Sequence, residues 1–191
     1  MKSLLSPLRW PLIACCLWAS IAHSATLKSV SVITKPRTAS AAACIMALEL
    51  SPAHGAVGLV VVGAAAIHSI WMGMKVGQAR RKYDVTYPAL YAPAGHKNEI
   101  EFNCIQRAHQ NSLENLPTFY ALLLTAGARF PISAAVAGAV VLLGRIAYFN
   151  GYSSGDPKNR QRGGFLHLGS LALLGMVARW SVELLAPALK V

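Results

Sequence analysis

Three stretches of the chain are apolar along almost their whole length: 56–74 (AVGLVVVGAAAIHSIWMGM), 132–152 (ISAAVAGAVVLLGRIAYFNGY) and 164–186 (GFLHLGSLALLGMVARWSVELLA). Each is at or near the roughly 20 residues that a helix needs to cross the hydrocarbon core. Helices apolar all round belong in a membrane or a large core. A fourth stretch, 102–128, is divided: its second half (LPTFYALLLTAGA) is apolar, but its first half carries Asn103, Arg107, Gln110, Asn111 and Glu114. This pattern predicts an all-α protein, an integral membrane four-helix bundle formed by residues 51–191.

Composition supports the membrane assignment. Of 191 residues, 54% are apolar and only 13% charged, about half the charge of an ordinary soluble domain. The first 50 residues differ, with five basic residues, one acid (Glu49) and a short apolar run, PLIACCLWASIA, leading into AHSA. That is the form of a secretory signal, and the serines and low acidity of residues 24–40 equally suit a transit peptide. Residues 1–50 are therefore expected to be a targeting extension rather than part of the fold. Three of the four cysteines (15, 16 and 44) lie there, which leaves Cys104 as a small packing residue. No CxxC or HxxxH spacing supports a metal site.

Residues 51–191 hold 13 basic and 6 acidic side chains, a net of +7. The basic residues gather in two connections: Arg80, Arg81, Lys82 and Lys97 between the first two helices, and Lys158, Arg160 and Arg162 between the last two. Those connections share one side of a four-helix protein. The positive-inside rule makes that side cytoplasmic.

The polar positions inside the helices point to chemistry. Arg107, Asn111 and Glu114 fall on one helical face, as do Arg145, Tyr148 and Tyr152 in the third predicted helix, 132–152. Ionisable groups at membrane depth are costly and usually face a bundle interior or a wet cavity. Arginines outnumber the one helical carboxylate at this end, Glu114. That excess suits a ligand with carboxylates, which guanidinium groups bind bidentately, and Glu114 is available for an ammonium group. Ion pairing as mere glue, or lipid headgroups on the arginines, would explain part of the same pattern. Arg179 and Glu183, one turn apart, are expected to form a local ion pair.

The blocks FNCIQRAHQNSLE, GQARRKYDVTYP and GRIAYFNGYSSGDPKNRQRGG resemble the MAPEG family of membrane proteins in eicosanoid and glutathione metabolism, over about residues 51–186. The resemblance implies a homotrimer with glutathione bound between subunits near the cytosolic face. It implies glutathione contacts from Arg80, Arg107, Asn111, Glu114, Arg145, Tyr148 and Tyr152. An arginine at the start of the fourth helix would stabilise the thiolate: Arg160 or Arg162, with counting back from GGFLHLGS favouring Arg162. Arg81 matches a second arginine that acts on the lipid substrate. His109 and Asn115 depart from the leukotriene synthase pattern, which has glutamine and tyrosine there. The implied function is a glutathione transferase or peroxidase acting on lipophilic electrophiles such as leukotriene A-type epoxides and lipid hydroperoxides. The alternative is a non-catalytic lipid-binding protein that presents lipid to a partner. No metal cofactor is implied. The expected location is the endoplasmic reticulum or nuclear envelope, or a mitochondrial or plastid membrane if the leader is a transit peptide.

Overall fold

Each apolar stretch becomes one long helix in the computed structural model, which describes residues 50–189. We label the helices α1 (His54–Tyr83), α2 (Glu99–Arg129), α3 (Pro131–Tyr152) and α4 (Leu166–Leu185). A 3₁₀ segment, Pro157–Gly163, precedes α4, and the regular structure among the described residues is all helical. The targeting assignment for residues 1–50 lies outside the described residues, apart from Leu50. Helices α1, α3 and α4 are long and apolar enough to cross a membrane. At 31 residues α2 is also long enough, but Glu99, Glu101, Arg107 and Glu114 in its first half set it apart.

The helix ends follow from local chemistry. Phe130, at φ −128° and ψ 63°, both ends α2 and precedes α3. A residue before proline is pushed out of the α region, and Pro131 suits the first turn of a helix, where its missing N–H is not needed. The two helices can therefore reverse direction over one residue. Helix α1 ends at Asp84, which takes the left-handed conformation (φ 55°) that aspartate tolerates better than most residues. The polar sequence after Met74 does not end α1: its last eleven residues, Gly73–Tyr83, remain α-helical.

Between those parts, Ala66–Met72 winds as a π-helix, a form found often at functional sites. His68 is buried there, with Nδ1 2.8 Å from the Ala64 carbonyl, while His109 of α2 places Nε2 2.9 Å from the His68 carbonyl.

One core draws on all four helices: Val57 and Ala64 from α1, Phe119, Leu123 and Ala126 from α2, Ala134, Val141 and Leu142 from α3, and Leu173 from α4. Contacts fix both ends. Arg129 and Arg179 meet Glu183 at 3.9 and 2.8 Å at one end, and Cys104 Sγ approaches the Gly155 carbonyl at the other. The expected Arg179–Glu183 pair is thus present. The outward faces are apolar: Leu59, Val62, Ile70, Leu143, Leu168, Leu171 and Val182 are all exposed. In water such faces would promote aggregation, whereas in a bilayer they meet lipid.

Glycine permits one contact that matters for the site. The 3₁₀ segment lies so close to α3 that a Cβ on Gly151 would strike the Asn159 carbonyl. A Cβ on Gly163 would come within 2.5 Å of Tyr148 Cβ and 2.6 Å of its backbone nitrogen. Both positions need glycine for this close approach.

Candidate functional site

The two predicted polar stripes come together where α2 and α3 meet the 3₁₀ segment. Arg145 is buried on α3, and its Nη1 donates to Asn111 Oδ1 at 3.1 Å. Its guanidinium carbon lies 5.8 Å from the Tyr148 ring centre, and Tyr148 meets Tyr152 edge to face at 5.7 Å. Among the described residues, no carboxylate lies within ion-pair distance of Arg145. A buried charge without a counter-charge is expensive, so this guanidinium is poised for an anion.

Arg145 and Tyr148 line a cleft of about 390 Å³ with Asn111, Asn115, Arg160, Gln161 and His167. The guanidinium carbon of Arg160 sits 5.7 Å from the Tyr152 ring centre. The contribution of Gln161 and His167 was not legible in sequence, because the docking of the 3₁₀ segment brings Gln161 to the cleft and the first turn of α4 brings His167. The Gly151 and Gly163 close approaches were the available signal.

Arg107 Nη1 and Glu114 Oε1 pair directly at 2.9 Å, on side chains 41% and 45% exposed. Within its own chain, this pair is therefore not buried. An exposed pair contributes about 0–1 kcal/mol, so a ligand carrying both charges could exchange for it at little cost.

The remaining candidates stand apart from the cleft. Arg80 is buried and donates to the carbonyls of Val85 (3.3 Å), Ala89 (2.8 Å) and Leu90 (3.4 Å). Its guanidinium carbon also lies 4.4 Å from the Tyr87 ring centre. Within one chain, Arg80 clamps the connection between α1 and α2. Asn103 and Gln110 serve the same connection: Asn103 Oδ1 accepts from the Ala92 amide, and Gln110 Oε1 accepts from the Tyr91 hydroxyl. Part of the polar half of α2 thus holds a loop. Arg81 and Arg162 are exposed, and neither lines the cleft.

Residues 58–180 match the sequence profile of the MAPEG family. Microsomal glutathione S-transferase 2 of Homo sapiens is 39% identical over 114 residues, covering 59% of this chain and 73% of that protein. The Mus musculus counterpart is 37% identical over 115 residues, with coverages of 60% and 74%. Leukotriene C4 synthase of Bos taurus is 35% identical over 117 residues, with coverages of 61% and 72%. The RAHQN block leads to the expectation of type 3 relatives; the two transferases matched here are type 2. RAHQNSLE and RIAYFNGY, the blocks that carry the resemblance, supply the α2 and α3 walls of the cleft. The profile spans well over half of the chain and includes α3 and most of α1 and α4, the helices able to cross a membrane: the protein is an integral membrane member of the MAPEG family.

Proposed function

We propose that the protein is a membrane glutathione transferase in which α2 is a fourth span and residues 1–50 direct the chain to its membrane. The observation that carries this reading is buried Arg145, which has no carboxylate partner among the described residues and lies in a cleft walled by Asn111, Tyr148 and Arg160. Glutathione has two carboxylates, one ammonium group and a thiol. Arg145 takes one carboxylate; the other opens the Arg107–Glu114 pair and takes Arg107, while the ammonium takes Glu114. Tyr148 and Tyr152 flank the ligand. The names and sequences of the transferase and synthase relatives support the choice of glutathione.

The reaction requires the thiolate, and a free cysteine thiol titrates near pH 8.5. A guanidinium beside the sulfur favours the anion and lowers that value. Arg160 is the arginine of the 3₁₀ segment that lines this chain's own cleft, which supports it over Arg162. In conjugation, the sulfur lone pair attacks an epoxide carbon, the C–O bond breaks, and the oxygen takes a proton. In the peroxidase reaction, two glutathione molecules supply two electrons and two protons. A hydroperoxide then becomes an alcohol and water, and the sulfurs form a disulfide. The lipophilic substrate enters from the bilayer, where Arg81 remains a candidate to contact it. A homotrimer, each site closed by a neighbouring subunit, fits the open cleft and the exposed faces of α4. The membrane is that of the endoplasmic reticulum or nuclear envelope.

Stopped-flow ultraviolet absorbance tests this proposal on purified, detergent-solubilised full-length protein. Mixing with glutathione at pH 7 should give a saturable thiolate band and proton release. Arg160→Ala should remove the band and Arg162→Ala should keep it; the reverse result would transfer the role to Arg162. Saturable glutathione binding without a band in the unsubstituted protein would leave the lipid-presenting alternative standing.

A further inference from the structure

A second cavity, about 320 Å³, opens between α1, α2 and α3, and the two sites have no lining residue in common. Its polar groups come from Lys75, Gln78, Lys82, Tyr83 and Ser153, and its apolar wall includes Ile105 and Phe149. Lys75 and Lys82 are two helical turns apart and share a face. Neither has a carboxylate within ion-pair distance among the described residues, and no acid lines the cavity. Ser153 adds a hydroxyl oxygen that is shielded from solvent and has no hydrogen-bond partner among the described residues. Two cations without a carboxylate partner among the described residues, of which Lys82 also lies over the Tyr83 ring at 4.8 Å from its centre, and an unsatisfied hydroxyl make a site for an anion with several oxygen acceptors.

The surroundings favour an anion that carries a hydrocarbon tail. Lys75 lies roughly 12 Å before the end of α1, at 1.5 Å per residue. Toward the middle of that helix, Ile70 and Met74 are 59% and 55% exposed, and Trp71 packs on Phe149 at 5.0 Å between ring centres. Basic pockets between membrane helices hold acidic headgroups in this manner. We infer that the Lys75–Lys82–Ser153 cavity binds the headgroup phosphate of an anionic phospholipid, whose acyl chains run along the exposed apolar face of α1.

Native mass spectrometry of the full-length protein in neutral detergent, titrated with dioleoyl phosphatidylserine or phosphatidylcholine, tests the inference. Phosphatidylserine should form a saturable adduct that Lys75→Gln/Lys82→Gln weakens roughly tenfold or more, while phosphatidylcholine, whose choline offsets the phosphate charge, should bind more weakly. Lys75→Arg/Lys82→Arg should retain the adduct, and Ser153→Ala should weaken it about fivefold. Glutathione affinity within twofold of the unsubstituted protein would show that the glutamine variant is folded. If that variant does not fold, Ser153→Glu provides the same test by placing a carboxylate in the cavity, and should abolish the adduct. Equal weakening by Lys97→Gln/Lys158→Gln, which removes the same charge outside the cavity, would reduce the effect to diffuse attraction and overturn the site. Displacement by low-millimolar inorganic phosphate would overturn the lipid assignment in favour of a soluble phosphate.

Discussion

Arg145 and the Arg107–Glu114 pair have opposite relations to solvent, and their substitutions should behave differently. Arg145→Met removes a buried charge that has only Asn111 as a hydrogen-bonding partner among the described residues. It should not unfold the chain, yet glutathione affinity should fall by about 1.5–3 kcal/mol, the usual contribution of a charged hydrogen bond. Titration calorimetry with glutathione, alongside circular dichroism for helicity, checks this expectation. Glu114→Gln should leave thermal stability within about 1 kcal/mol, since the pair it breaks is exposed, while weakening glutathione through loss of the ammonium partner. Unchanged affinity in that variant would reject the proposed ligand orientation. These residues were legible in sequence because their spacing put them on common faces of α2 and α3. Helical spacing could not separate cleft residues from loop-holding ones. Asn103 and Gln110 lie on or beside the same stripe as Arg107, but their partners, Ala92 and Tyr91, come from an irregular connection whose path no periodicity encodes.

At the scale of elements, apolar run length foretold α1, α3 and α4 closely at most ends. It missed nine residues at the end of α1, where Lys75–Tyr83 continue the helix with polar side chains. Hydropathy registers burial in lipid, and a helix persists beyond the membrane wherever its backbone hydrogen bonds continue. The 3₁₀ segment was less legible, since its position depends on contacts with α3 that only small residues permit. Gly163→Ala should push Pro157–Gly163 away from Tyr148 and carry Arg160 with it. Thiolate absorbance should then be lost while glutathione affinity changes little; an unaltered band would mean that Arg160 does not depend on this seat. Arg80→Ala should free the connection after α1, seen as faster amide hydrogen exchange at residues with loop hydrogen bonds such as Ala89 and Ala92. Unchanged exchange there would dismiss the clamp.

For the whole molecule, the wide apolar exterior bears on the assembled state. The sequence resemblance implies a trimer, and a protein mass of three chains by light scattering corrected for detergent is the expected result. Helix α4 makes the case most directly, because only 11% of its most apolar stretch is buried by its own chain. Whatever covers the remainder, lipid or neighbour, contributes to holding α4 in place. If neighbours do so, folding and association are linked by mass action, and stability depends on how much protein is present. The temperature of half-unfolding should then rise as protein is concentrated at a fixed protein-to-detergent ratio and fall on dilution. A midpoint indifferent to concentration would describe a subunit that is stable alone. Dilution into excess detergent would, on the linked scheme, abolish the proposed activity without any chemical damage, and reconcentration would restore it.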